Sequence, residues 1–410
     1  MPRPLPSVFD RAVLFLALVL RVTAVAVHPV TASLFSDMGN YAALGDDIVH
    51  GVWKPTHFYQ PVGFSYLLSI LKRLPIHWGV SLTVLHVVLS MATVWLVWRA
   101  ADRAFGSRAG RIALVVSAIH APWISLTSFT LPETMFSFLM ALLLHVSLDL
   151  VVQPSRRWSA AWGLVFIAAF WLKGTHVFLG PIFLLGFVMW QGWSRNTILN
   201  LAAPLCAVVA AGLLLHGVVS YRAIGRFQLS GSAGGLNFVE GKCPSKRNFD
   251  STGAVWWAPI YAQLNQTASK IWDRPFTDSS YFMQEGAKCI RDNPAVLVQS
   301  LENIPFLVMG NFLWPATEVR LAWLIRLYEL WFAPWLLVGL AAWVRLRWPL
   351  RREQIPDVLV WALPAVALCV CVYVFKSEIR FRVPFDVWLI PMSAQGWAWL
   401  SSVRGDSPAA

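Results

Sequence analysis

Every helix that crosses a bilayer core needs about 20 consecutive apolar residues, and this sequence meets that demand again and again. Apolar runs lie at 12–30, 78–98, 111–128, 131–152, 160–172, 177–193, 199–221, 324–344, 357–375 and 385–403. The expected fold class is therefore an all-α polytopic membrane protein of about ten transmembrane helices, the fifth and last nearest the lower length limit. Composition agrees: 57% of residues are hydrophobic and 13% charged, against about 25% charged in soluble chains. That excludes a soluble globular domain, a disordered tail and a small disulfide scaffold. The 23 Trp and 25 Phe suit a chain with two membrane–water interfaces. The net charge of +12 comes from arginines scattered between apolar runs. They form no basic stripe, so membrane lipids rather than nucleic acid are the expected partner.

The first run resembles a signal peptide. It is long, however, contains Arg21, and ends in His28-Pro29-Val30 rather than at a small-residue cleavage site, so an uncleaved span is expected. With the N-terminus inside, Arg99, Arg103, Arg108, Arg111, Arg156, Arg157, Arg195, Arg345, Arg347, Arg351, Arg352 and Arg404 all fall inside, as the positive-inside rule requires. Two longer segments, 31–77 and 222–323, then lie outside. With no internal repeat, residues 1–410 read as one membrane domain. In the first outer segment, Tyr41, Leu44 and Ile48 mark an amphipathic helix over 37–49, ended by Gly51. Pro61 opens a second over 60–74, and both are expected on the outer membrane surface. The second segment carries a glycine-bearing stretch at 231–235, polar sequence to 277, a helix over 279–293 and another from Pro294 toward Trp314. The sequon-like Asn265-Gln266-Thr267 has weight only in a eukaryotic compartment. Cys206, Cys369 and Cys371 sit in apolar runs. Cys243 and Cys289 do not, and no CxxC or His/Cys ligand spacing suggests a structural zinc site. Both face the oxidising side in this topology, so a disulfide between them is expected, the alternative being two free thiols.

Carboxylates are scarce, so their places are informative. Asp37 follows the first run in Phe35-Ser36-Asp37-Met38-Gly39-Asn40-Tyr41, and Glu133 opens the fourth in Thr130-Leu131-Pro132-Glu133-Thr134. Both fall at the same outer rim. Asp37 could be a helix N-cap and Glu133 a first-turn acid; two acids at one rim instead suggest a site. Asp46 and Asp47 read as a solvated face. Tyr41, His57, Tyr59 and Gln60 are candidate substrate contacts, with interfacial anchoring the alternative for His57 and Tyr59. Lys173 interrupts an apolar stretch, and Lys376, Arg380 and Arg382 lie between the last two runs. These cations oppose the topological trend. They suit an anionic ligand such as a lipid phosphate, with snorkelling at a helix end, paired to Glu378, as the alternative.

With these motifs in order, the chain resembles the C-type membrane glycosyltransferases, in the branch of the protein O-mannosyltransferases and the aminoarabinose–lipid A transferases. The resemblance rests on Ser36-Asp37-Met38-Gly39-Asn40-Tyr41 with Gly51, Tyr59-Gln60-Pro61-Val62-Gly63, Leu131-Pro132-Glu133-Thr134-Met135-Phe136 and Phe170-Trp171-Leu172-Lys173-Gly174-Thr175 with Pro181. It continues in the stretch from Glu285 to Pro294 and in Glu378-Ile379-Arg380-Phe381-Arg382-Val383-Pro384. It implies a polyprenyl-phosphate-linked sugar donor used on the outer face, with Asp37 as the catalytic acid residue. Glu133 would be a supporting acid or a metal ligand, so a divalent cation is left open and no other cofactor is implied. Gln60 stands where the aminoarabinose branch favours Lys. The chain ends just after its last run, so the soluble C-terminal domain of some members is not expected.

The residues themselves fit such chemistry. Transfer from a lipid phosphate needs a base on the acceptor hydroxyl and cations on the departing phosphate. One carboxylate suffices for an inverting single displacement, unlike the carboxylate pair of glycoside hydrolysis. Asp37 is expected as base, with Lys173, Lys376, Arg380 and Arg382 on the phosphate. The acceptor is a lipid, glycan or protein, and the protein a monomer of the bacterial inner membrane with a periplasmic site. A transporter or flippase of a lipid-linked intermediate is the competing expectation, although the sequence shows no repeat and its acids lie at the rim.

Overall fold

A computed structural model describes residues 6–192, 194–243, 246–250, 253–257, 279–309 and 322–405. The expected helical membrane architecture is present, joined by one short antiparallel hairpin of Lys246–Asp250 with Gly253–Trp257. Among the described residues, six helices are long and apolar enough to cross a membrane: Trp78–Phe105, Glu133–Val152, Gly174–Gln191, Arg195–Ile224, Trp323–Arg347 and Ile355–Val374. The other four expected runs are helical too. Val8–Val27 carries three charged residues, Arg156–Leu172 is 17 residues long, and Asp386–Gly405 is less apolar. The Asn265-Gln266-Thr267 sequence and Trp314 lie outside the described residues.

The third run, expected as one helix over 111–128, is broken. Ser107–Ala118 stops, and a short helix, Ala121–Leu126, resumes after His120. Pro122 has no N–H to donate to the Ala118 carbonyl and its ring would crowd that carbonyl, so the ladder stops there and Pro122 falls in the first turn of the next helix. The carbonyls of Ser117 and Ala118 near the break accept from the Arg21 guanidinium at 3.3 and 3.0 Å, and Arg21 Nε donates to Ser90 Oγ at 2.7 Å. The charge that interrupts the first run is thus fully buried and spent on backbone groups that lipid could not satisfy.

The helices hold together as membrane helices do, by close approach and hydrogen bonds. Where Ala322–Arg347 crosses Asp386–Gly405, a Cβ on Gly396 would collide with the Gly339 carbonyl. There Ser393 Oγ donates to the Leu336 carbonyl at 3.0 Å, and Trp397 Nε1 to that of Trp335 at 2.9 Å. Large apolar side chains such as Phe15, Val84, Leu185, Leu214 and Leu330 stand exposed on helix surfaces, as lipid contact requires.

Three connections position the site. The two expected surface helices are present as Ser36–Val49 and Gly63–Lys72, packed on each other with Tyr41 edge-on to Phe64 at 5.2 Å. The second long segment docks onto the first through backbone. Ser232 N donates to the Phe58 carbonyl and Ala233 N to that of Tyr59, both at 2.9 Å. Gly231 permits this, since a Cβ there would lie 2.7 Å from the Tyr59 oxygen. Finally, Cys243 and Cys289 are bridged, with Cα atoms 5.1 Å apart, tying helix Ala233–Lys242 to helix Ser279–Asp292. Opening the bridge with Cys289→Ser should lower stability by ~2–4 kcal/mol, the usual scale for such a loop. Peptide mapping without reductant should recover the linked pair; two alkylatable thiols in the native protein would contradict it.

Candidate active site

Eight of the ten residues singled out from the sequence line one cavity of about 280 Å³: Asp37, Tyr41, Tyr59, Gln60, Glu133, Lys173, Lys376 and Arg380. They come from five separate stretches of chain. Asp37 sits in the first turn of Ser36–Val49, where Phe35 is the N-cap and makes no side-chain capping bond. The expected alternative, Asp37 as an N-cap, therefore does not apply, and its carboxylate faces the cavity. Ser36, which starts that helix, has φ of 49°, the one non-glycine residue in the left-handed region among the described residues. Glu133 opens Glu133–Val152 and is buried to 1% exposure.

The charges are interlocked. Lys173 Nζ donates to Glu133 Oε1 at 2.5 Å. Arg380 faces three carboxylates: NH1 to Asp37 Oδ2 at 3.5 Å, Nε to Glu133 Oε1 at 3.6 Å and NH2 to Glu378 Oε2 at 3.4 Å. Lys376 lies 3.0 Å from Glu240 Oε2 and 3.1 Å from Glu378 Oε1. The Lys173 contact is a tight ion pair. Those of Arg380 are longer, at 3.4–3.6 Å, so its guanidinium is held among the three carboxylates mainly electrostatically. Burial works against the charge on Arg380, but Glu378, Glu133 and Asp37 outweigh it and push the pKa above the ordinary arginine value. Burial lowers that of Lys173, with Glu133 opposing. Burial would raise Glu378, but Lys376 and Arg380 hold its carboxyl down at about 2.

Two of the expected residues are elsewhere. Arg382 is 1% exposed and does not line the cavity. Its NH2 donates to both Glu329 oxygens at 3.0 and 3.1 Å, its Nε to Asp386 at 3.1 Å, and its NH1 to the Leu307 carbonyl at 3.2 Å. His120 Nε2 closes this network on Asp386 at 3.1 Å. Arg380 and Arg382 are two apart in the short helix Ile379–Arg382, and such residues do not share a face. Arg382→Met should therefore lower the thermal midpoint, because it strands two buried carboxylates. It should leave lipid-phosphate binding by the folded protein unchanged; a loss of binding at normal stability would return Arg382 to the site. His57 is also buried outside the cavity. Its Nδ1 accepts from the Lys54 amide at 2.9 Å, its Nε2 lies 3.7 Å from Asp47, and its ring packs against Trp53. It braces the turn Pro55–Phe58 and does not reach the site.

Polar residues of the cavity beyond those singled out include Thr175 and Ser230, and two more from a single helix. Asn237 and Glu240 reach it from helix Ala233–Lys242. The scarcity of carboxylates that marked Asp37 and Glu133 applied equally to Glu240, which is 5% exposed. No group of three or more His, Cys, Asp or Glu side chains converges among the described residues, and Glu133 already carries Lys173.

Residues 59–220 match the family described as dolichyl-phosphate-mannose-protein mannosyltransferase. Among solved structures, the oligosaccharyltransferase AglB of Archaeoglobus fulgidus, in complex with an inhibitory peptide and a dolichol-phosphate, aligns at 14% identity and TM-score 0.50. The alignment covers 98% of this chain and 52% of that one, so the chain spans about half the length of that enzyme. ArnT of Cupriavidus metallidurans, bound to undecaprenyl phosphate, aligns at 14% identity and TM-score 0.42, over 96% of this chain and 79% of that one. No curated protein matches significantly. The resemblance carried by the motifs is borne out in the fold: the chain aligns over nearly its whole length with an oligosaccharyltransferase structure, and residues 59–220 match the dolichyl-phosphate-mannose-protein mannosyltransferase family.

Proposed function

We propose that the protein transfers a sugar from a polyprenyl-phosphate donor to an acceptor hydroxyl by inverting single displacement. The observation that carries this is the pairing of Asp37 with Arg380 across one cavity, a base and a phosphate-binding cation 3.5 Å apart. Asp37 takes the acceptor proton as the acceptor oxygen attacks the anomeric carbon. The bond from that carbon to the phosphate oxygen breaks, and the electron pair leaves with the polyprenyl phosphate. Arg380 faces the charge that grows on the departing oxygen, where a preorganised cation gives most. Glu133 fixes Lys173 and steers Arg380; Lys173 adds a point charge. The family of residues 59–220, whose described donor is dolichyl-phosphate-mannose, supports the donor class. The dolichol-phosphate bound in the aligned AglB structure is of the same chemistry. We place the site on the periplasmic side of a bacterial inner membrane, because the arginine-rich short loops take the opposite side. The protein would act as a monomer, with residues 1–410 as one domain.

A transporter would leave its cargo whole. Purified protein given a polyprenyl-phosphate sugar should release free polyprenyl phosphate only when acceptor is present. Translocation of the donor with its sugar still attached, and no such release in any acceptor mixture, would contradict the reading.

A further inference from the structure

We propose that Glu240, with Asn237, Tyr59 and Lys376, forms the subsite that holds the sugar ring of the donor. The inference rests on the polyprenyl-phosphate reading above and adds the part of the cavity that reading leaves unused. Asn237 and Glu240 are three apart on helix Ala233–Lys242, so they share a face, and both line the cavity. The helix is fixed at both ends. Its start is docked on the carbonyls of Phe58 and Tyr59. At its end Lys242 is buried, its Nζ donating to Ser300 Oγ at 2.8 Å and to the Tyr373 carbonyl at 2.5 Å. Glu240 is thus held in place rather than carried on a mobile loop.

The charges separate this end of the cavity from the phosphate end. Lys376 lies between two carboxylates, 3.0 Å from Glu240 and 3.1 Å from Glu378. The ion pairs of Lys376 are with Glu240 and Glu378, whereas those of Arg380 reach Asp37 and Glu133, which assigns Lys376 to the Glu240 end of the cavity rather than to the phosphate role its position in the sequence suggested. The same groups suit a neutral polyol. Sugar hydroxyls donate and accept, and here a carboxylate, an amide, a phenol and an ammonium supply both kinds of partner. Burial, and then the charge of Glu240, push the Tyr59 pKa above its ordinary value, so its hydroxyl stays protonated. A chain of ion pairs, Glu240–Lys376–Glu378–Arg380–Asp37, links the two ends of the cavity. It sets this subsite beside the phosphate and base, as a single sugar bonded to that phosphate requires.

The alternative is that Glu240 only neutralises Lys376, and binding measurements on the full-length protein separate the two. The probes are bare undecaprenyl phosphate and undecaprenyl phosphate carrying mannose, glucose or arabinose. Wild type should bind at least one sugar-bearing lipid ~10-fold or more tighter than the bare lipid, the scale of hydrogen bonds to a charged group. Glu240→Gln should lose that gain, while its affinity for bare lipid stays within about twofold. Asn237→Ala, which leaves every charge in place, should lose part of the gain and covers the case in which Glu240→Gln fails to fold. Undiminished discrimination in either folded variant, equal weakening toward bare and sugar-bearing lipid, or wild type binding all four alike would overturn the subsite. Wild type that binds none of them would overturn the polyprenyl-phosphate reading beneath it.

Discussion

Asp37→Asn should lower turnover at least ~100-fold, the usual scale for a lost general base. In barrier terms that is about 2.7 kcal/mol. The amide keeps the shape of the carboxylate but cannot take the acceptor proton. Donor binding should hold or tighten, because Asp37 lies 3.5 Å from Arg380 and its charge competes there with the donor phosphate. The signature is a fall in kcat without loss of lipid-phosphate affinity. Near-normal turnover in the folded Asn variant would remove Asp37 from the chemistry and make Glu133 the next carboxylate to test.

Arg380→Ala should be as damaging, by ~10²–10³-fold in turnover, the range seen when one transition-state donor is removed. Unlike Asp37→Asn, it should also weaken donor binding. The phosphate would then meet Asp37, Glu133 and Glu378 without the guanidinium that now faces all three. Arg380→Lys should restore activity only in part, since the fork that closes on two phosphate oxygens is replaced by a point charge. Because its carboxylate neighbours push the pKa of Arg380 upward, the pH–rate profile should carry no limb from this residue. Unchanged affinity for polyprenyl phosphate in a folded Arg380→Ala protein would place the phosphate elsewhere.

Much of this arrangement can be read in the sequence because the bilayer leaves few choices. Helices must be long apolar runs, and a carboxylate at their rim is costly enough to be noticed, which picks out Asp37 and Glu133. Lys173 and Arg380 stand out as cations against the topological trend. What the sequence hides is which neighbour of a pair faces the site. Arg380 and Arg382 look equivalent in Arg-Phe-Arg, yet a helical turn sends one to the cavity and the other to Glu329 and Asp386. The two-residue spacing could have forbidden a shared role. His57 likewise reads as a ligand until its ring is seen satisfying the Lys54 backbone. Glu240 was missed because its segment carries no strong periodicity, and only docking on the Tyr59 backbone brings it to the site. The break at His120 was signalled by Pro122, but that its carbonyls would be met by Arg21, about a hundred residues away, is a tertiary fact.

In the proposed reaction the protein breaks a sugar–phosphate bond with Asp37 as the base on the acceptor. Mass spectrometry of envelope glycans, lipids and proteins from cells with the gene intact, deleted, or encoding Asp37→Asn tests it most directly. One sugar-bearing molecule should vanish on deletion and return with the wild-type gene, but stay missing with stably produced Asp37→Asn protein. Full restoration by that variant would contradict the account.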